Sequence, residues 1–182
     1  MIHDVPLGEV LERAADLWPE KTALTYGDDE WSFRELFAES CRAASRMRLL
    51  GVQPGEHVAL WAANSPEWVF LQFGLARLGA VLVTANTALA REDLTYLLQH
   101  SDSVALLSGR EAKGNDMLAI LNTLDRSTLP RLREVVLLEG GELRGAMTWE
   151  SLGAGEEYCD ATPVGLDDLI NMQYTSGTTG FP

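Results

Sequence analysis

The sequence predicts an α/β protein: a mostly parallel sheet flanked by helices on both faces, preceded by a small N-terminal hairpin. Three observations lead there. Short apolar runs alternate with longer segments whose apolar residues recur every three or four positions, and four or more such β–α alternations call for parallel strands joined by right-handed crossovers. The short runs, residues 58–62 above all, are apolar on both faces, as strands inside a parallel sheet are. Helix entries built on Ser and Pro, and exits built on Gly, punctuate the pattern.

The elements follow in order. Leu7, Val10, Leu11, Ala14 and Trp18 lay one apolar stripe along a first helix, which Pro19 ends. Residues 22–26 are β-prone, and Gly27-Asp28-Asp29-Glu30 before Trp31 reads as a turn into a second strand, which gives the hairpin. Ser32 and Glu35 make the S-x-x-E capping pattern, in which the hydroxyl takes an orphan backbone N–H and the glutamate reaches back. The helix after them runs to Leu50 with Phe33, Leu36, Phe37, Ala44 and Met47 inward, and Gly51 supplies positive φ at its end. After strand 58–62, Ser65 as N-cap, Pro66 at the first helical position and Glu67 on the helix dipole open a helix to Leu78. That helix is apolar nearly all round and is expected to be buried. Gly79 closes it before strand 80–84. A helix over 91–100 turns Leu94, Leu97 and Leu98 inward, and strand 104–107 follows. A weaker helix carries Met117, Leu118, Leu121 and Leu124, and strands over 135–138 and 169–174 complete the series.

Composition limits the function. A length of 182 residues fits one ordinary domain, and 46% hydrophobic with 23% charged residues allows a sizeable core. Fourteen Lys plus Arg against 27 Asp plus Glu leave a net charge of −13, which repels phosphate backbones and anionic lipid headgroups, so no nucleic-acid partner is expected. No stretch approaches the roughly 20 apolar residues of a bilayer span. The N-terminus lacks the basic region and apolar run of a secretory signal, which makes a cytoplasmic protein the expectation. Residues 134–168 hold nine acids and a single base, Arg144, and read as a solvated, Gly-rich connection. Cys41 and Cys159 form no C-x-x-C pair, and His3, His57 and His100 share no ligand spacing with them. No metal-binding residue is therefore assigned, and two reduced, packed thiols are expected.

One segment carries chemistry. The last strand runs into Thr175-Ser176-Gly177-Thr178-Thr179-Gly180-Phe181-Pro182, where two glycines and four hydroxyls fall within eight residues. Glycines let backbone N–H groups converge on one point, hydroxyls add donors, and such a cluster after a strand end suits a polyphosphate. It is not the Walker pattern, because the glycines stand three apart and no Lys-Ser or Lys-Thr follows.

The string NMQYTSGTTGFP, residues 171–182, resembles the phosphate-binding signature of the AMP-forming adenylating enzymes, the superfamily of acyl-CoA synthetases, luciferases and peptide-synthetase adenylation domains. The upstream stretch from WSFRELF through NSPEWVF to LLQHSD looks like the N-terminal part of a fatty-acyl or medium-chain acyl-CoA synthetase, and the resemblance extends back to the PLGEVLERAADLWPEKTAL opening. It implies that residues 1–182 are one N-terminal portion of an AMP-binding large domain. The implied activity belongs to fatty acid metabolism: ATP converts a carboxylic acid to an acyl-adenylate, and CoA then takes the acyl group. Thr175, Ser176, Gly177, Thr178, Thr179 and Gly180 would hold the β- and γ-phosphates, and Mg2+ would offset their charge. No catalytic residue is assigned. In the family a basic residue and Gly follow the Pro, whereas this sequence ends there, so a truncated chain, inactive alone, is expected.

Two other readings compete. A peptide-synthetase adenylation domain or luciferase-like ligase shares the signature, but TSGTTG together with NSPEW favours a CoA ligase. A non-catalytic oligomerising module would self-associate through apolar surface bared by the missing portion. Trp61 and Trp68 flank the Asn64-Ser65-Pro66 turn and could line an acyl or CoA channel, though core packing is the simpler role. His100 suits a helix C-terminus, His57 a strand edge, and Asn86 and Thr87 a turn.

Overall fold

The computed structural model describes residues 4–157 and 159–174. In chain order its elements are α1 (Leu7–Leu17), β1 (Thr22–Tyr26), β2 (Asp29–Ser32), α2 (Phe33–Leu49), β3 (His57–Trp61), α3 (Pro66–Leu78), β4 (Val81–Thr84), α4 (Arg91–His100), β5 (Ala105–Ser108), β6 (Glu111–Ala112), β7 (Asn115–Asp116), α5 (Met117–Asn122), β8 (Glu134–Leu137), β9 (Met147–Thr148) and β10 (Asn171–Gln173). They fall into two compact units. One comprises residues up to Glu56, Asn64–Val81 and Leu152–Ile170; the other comprises His57–Ala63, Leu82–Ser151 and the chain from Asn171.

The first unit holds α1, the β1–β2 hairpin, α2 and α3. The capping box is complete: Ser32 N–H donates to Glu35 Oε2 at 2.8 Å and Glu35 N–H to Ser32 Oγ at 3.3 Å. The Ser32 N–H foremost, and the Ser32 hydroxyl, which donates to the same Oε2 at 2.8 Å, hold the Glu35 carboxyl below its ordinary range. The buried side of α2 is made of small residues, Ser40, Cys41, Ala43, Ala44 and Ser45, between Leu36 and Met47, and α3 lies close against it. Gly74 is where they come nearest, since a Cβ there would stand 2.6 Å from Ser40 O and 3.0 Å from Ala44 N. Gly74→Ala would gain roughly 1 kcal/mol of helix propensity and lose about 1–3 kcal/mol to overpacking against backbone that has no rotamer to yield. The expected result is a net loss of stability, larger for Gly74→Val, read as a fall in the urea midpoint.

Gly79 ends α3 at φ 76°, and Ala80 N–H reaches Leu75 O at 2.9 Å. Ser65 occupies the N-cap of α3, yet its side chain makes no cap bond; the Trp68 N–H goes to the Ser65 carbonyl instead, at 3.2 Å. Near its end α3 carries Arg77, whose side chain is only 3% exposed. Its Nε donates to Cys159 O at 2.6 Å, and its Nη1 to Gly8 O at 3.0 Å and Glu12 Oε2 at 3.1 Å. The guanidinium also lies over the Phe37 ring, 4.9 Å from its centroid.

The second unit carries a six-stranded sheet in the order β10-β4-β3-β5-β8-β9. β10 pairs with β4, β3 with β5, β5 with β8 and β8 with β9, all parallel. On one face Ala59, Trp61, Val83, Leu106, Val135 and Leu137 pack with Leu94, Leu97 and Leu98 of α4 and Met117 and Leu121 of α5. Val58, Leu60, Leu82 and Val136, which alternate with them, are 0% exposed as well, so both sets of strand side chains are buried. The fold is therefore α/β with a mostly parallel sheet flanked by helices.

Two features add to the expected outline. A β6–β7 hairpin turns at Lys113 (φ 51°) and Gly114 (φ 81°), and β9 places Met147 and Thr148 on the sheet edge inside the acidic stretch. Trp149 and Cys159 of that stretch are buried, so it is only partly a solvated connection. Single apolar residues among polar ones carry no periodic signal, which is why neither feature stands out in the sequence.

Candidate functional site

The strand order reverses beside β3. The chain passes from β3 to β4 on one side, then crosses to β5 on the other, so the switch lies between the carboxyl ends of β3 and β5. Open parallel sheets bind ligands at such points. The turns leaving these strands are held by hydrogen bonds. Trp61 Nε1 donates to Asn86 O at 2.9 Å, Asn86 Oδ1 accepts from Ala88 N–H at 2.9 Å, and Asn115 Nδ2 donates to Thr87 O at 2.8 Å. Gly109 N–H extends the ladder to Trp61 O at 2.9 Å. Trp61 is 0% exposed and belongs to the core, and Asn86 and Thr87 build the turn after β4.

β10 forms the edge of the sheet beside β4. Asn171, Met172 and Gln173 stand opposite Leu82, Val83 and Thr84, so the chain leaves β10 beside the carboxyl end of β4. Met172 shares the face of Val83 and packs on the core, and Tyr174 does so too. Tyr174 Oη lies 2.7 Å from Nδ1 of His100, whose ring meets the phenol edge-on at 5.7 Å and stacks on Tyr96 at 5.4 Å. Burial pushes the Tyr174 phenol above its ordinary value, with Tyr96 adding to the shift, so the hydroxyl keeps its proton at neutral pH. This anchor on the residue preceding Thr175 was not assigned from sequence; the one signal for it was the aromatic side chain in front of TSGTTG. His57, at the start of β3, is half-buried with Nδ1 2.5 Å from Ser101 O.

Thr175, Ser176, Gly177, Thr178, Thr179 and Gly180 lie outside the described residues. Their donor set, four hydroxyls and two glycines, fits a polyphosphate and contains no carboxylate with which to ligate Mg2+. Among the described residues no three His, Cys, Asp or Glu side chains gather as a metal site, and no helix is long and apolar enough to cross a membrane.

The family model described as AMP-binding enzyme matches residues 11–182. YngI of Bacillus subtilis (strain 168), provisionally assigned as an acyl-CoA synthetase, is 34% identical over 100% of this chain and 37% of its own length. A crotonobetaine/carnitine–CoA ligase of Escherichia coli is 29% identical over 97% of this chain and 35% of its own. The crystal structure of the anthranilate CoA ligase AuaEII with anthranoyl-AMP superimposes with a TM-score of 0.87 at 29% identity, covering 98% of this chain and 34% of that one. The chain thus spans about a third of the length of the relatives it matches.

Proposed function

We propose, because this chain belongs to the AMP-binding enzyme family, that it is part of the ATP-binding portion of an acid–CoA ligase whose substrate is a fatty acid. The observation that carries the reading is the placement of β10. It pairs in register with β4, so the chain leaves it beside a strand carboxyl end, the side of a parallel sheet where ligands bind. The CoA-ligase names of the relatives support the reaction class.

A carboxylate is a poor acyl donor, because its charge is delocalised and an oxide is a poor leaving group. In the proposed reaction the carboxylate oxygen attacks the α-phosphate of ATP, which forms the acyl-adenylate and releases pyrophosphate. The CoA thiol then attacks the acyl carbon, and AMP departs. This chain's part is to hold the β- and γ-phosphates: Ser176, Thr178 and Thr179 donate hydroxyl hydrogens, and Gly177 and Gly180 let the backbone approach. The hydrogen-bonded Tyr174–His100 pair fixes the approach of the chain to that segment. Mg2+, when bound, offsets charge on the departing pyrophosphate.

The test is acid-dependent exchange of labelled pyrophosphate into ATP. A protein in which this chain is extended to the full length of its relatives should exchange with fatty acids. The 182-residue chain alone should not. Exchange driven by amino acids and not by fatty acids would sink the substrate assignment, and exchange by the short chain would sink the need for the additional length.

A further inference from the structure

We infer that Cys41 and Cys159 form an oxidation site, a thiol pair that a peroxide converts to a disulfide joining α2 to the segment after Leu152. The chain contains two cysteines, and the fold brings them together from positions more than a hundred residues apart. Both are free thiols, at 0% and 4% exposure, and they pack in one cluster with Ala44 and Phe37. The two thiols interact directly, each shifting the other's titration. Two cysteines placed independently as small apolar residues need not meet at all.

The surroundings favour one sulfur as the nucleophile. The interaction with Cys41 foremost, and the adjacent Arg77 charge, push the Cys159 thiol below its ordinary value, while the same interaction pushes Cys41 up. Arg77 Nε holds the Cys159 carbonyl at 2.6 Å, which fixes the backbone that presents the sulfur to α2. The described residues between Leu152 and β10 contain no helix or strand. Such a stretch opens locally at less cost than a helix does, so a small oxidant reaches the pair without global unfolding.

The steps balance. The Cys159 thiolate attacks one oxygen of hydrogen peroxide, the O–O bond breaks, and the departing hydroxide takes a proton to become water, which leaves a sulfenic acid on Cys159. The Cys41 sulfur then attacks that sulfur, the S–O bond breaks, and the hydroxyl leaves as water with the Cys41 proton. Two thiols are oxidised by two electrons in total, and one peroxide is reduced to two waters. The product closes a loop of about 120 residues, which restricts the unfolded chain.

The experiment uses the 182-residue chain, fully reduced, then treated with hydrogen peroxide at neutral pH, denatured, alkylated and mapped by mass spectrometry. The expected product is monomeric, two hydrogens lighter, and gives one crosslinked peptide pair containing Cys41 and Cys159. Its thermal midpoint should rise by on the order of 10 °C and fall back after treatment with a thiol reductant. Sulfinic or sulfonic acid on separate cysteines, disulfides only between chains, or two thiols that still alkylate would each overturn the assignment. The deciding measurement is made on the unaltered chain, so the folding of Cys41→Ser or Cys159→Ser variants does not enter into it.

Discussion

Arg77→Met should lower the stability of the chain by about 3–5 kcal/mol, the cost typical of removing one partner from a buried charged cluster. The guanidinium sits at 3% exposure and serves three acceptors: the Gly8 carbonyl from α1, the Cys159 carbonyl, and the Glu12 carboxylate. Methionine fills much of the volume over Phe37 but donates nothing, so the Gly8 and Cys159 carbonyls lose the guanidinium's hydrogen bonds. Glu12, at 34% exposure, can recover part of its loss from water, and the carbonyls therefore dominate the effect. Arg77→Lys should fall between the two, because an ammonium keeps the charge without the planar fork that reaches all three acceptors. Urea unfolding measures this directly. A change below about 1 kcal/mol for Arg77→Met would mean that the cluster does not hold the unit together.

Thr178→Ala, made in the protein extended to the length of its relatives, should slow pyrophosphate exchange by roughly a hundredfold to a thousandfold, the usual cost of deleting one preorganised donor to developing charge. The half-reactions separate the role from general damage. Acyl-adenylate formation releases pyrophosphate, whereas thioester formation from preformed acyl-adenylate and CoA involves none. The second step should therefore keep its rate within a few-fold. Equal loss in both steps would show that Thr178 shapes the fold and not the phosphate site.

Much of the fold was legible because its signals are local. The Ser32–Glu35 box lies within one helical turn, and its bonds form as the spacing implies. Gly79 has the positive φ its place after an apolar helix demands. Ser65 shows the limit of that logic, since its position was legible while its hydrogen bonding was settled by backbone geometry. What the sequence hides are pairings between distant residues. Nothing near Arg77 announces Gly8 or Cys159, nothing near His100 announces Tyr174, and the edge position of β10 beside β4 follows from neither strand alone. The hydroxyl-rich segment Thr175–Gly180 was singled out by composition and resemblance, and it lies outside the described residues.

The position of β10 also sets a timetable for synthesis. β4 and β10 are neighbours in the sheet, yet Gln173 leaves the ribosome some ninety residues after its partner Thr84. At about 5–20 residues per second the outer edge of β4 waits roughly 4–18 s for its strand. During that interval a nascent chain presents the unpaired backbone of Val81–Thr84, an apolar edge open to pairing with another chain. The strand that precedes the hydroxyl-rich segment is thus also the one that ends this exposure, so slow translation through residues 85–170 should raise aggregation before it alters any chemistry.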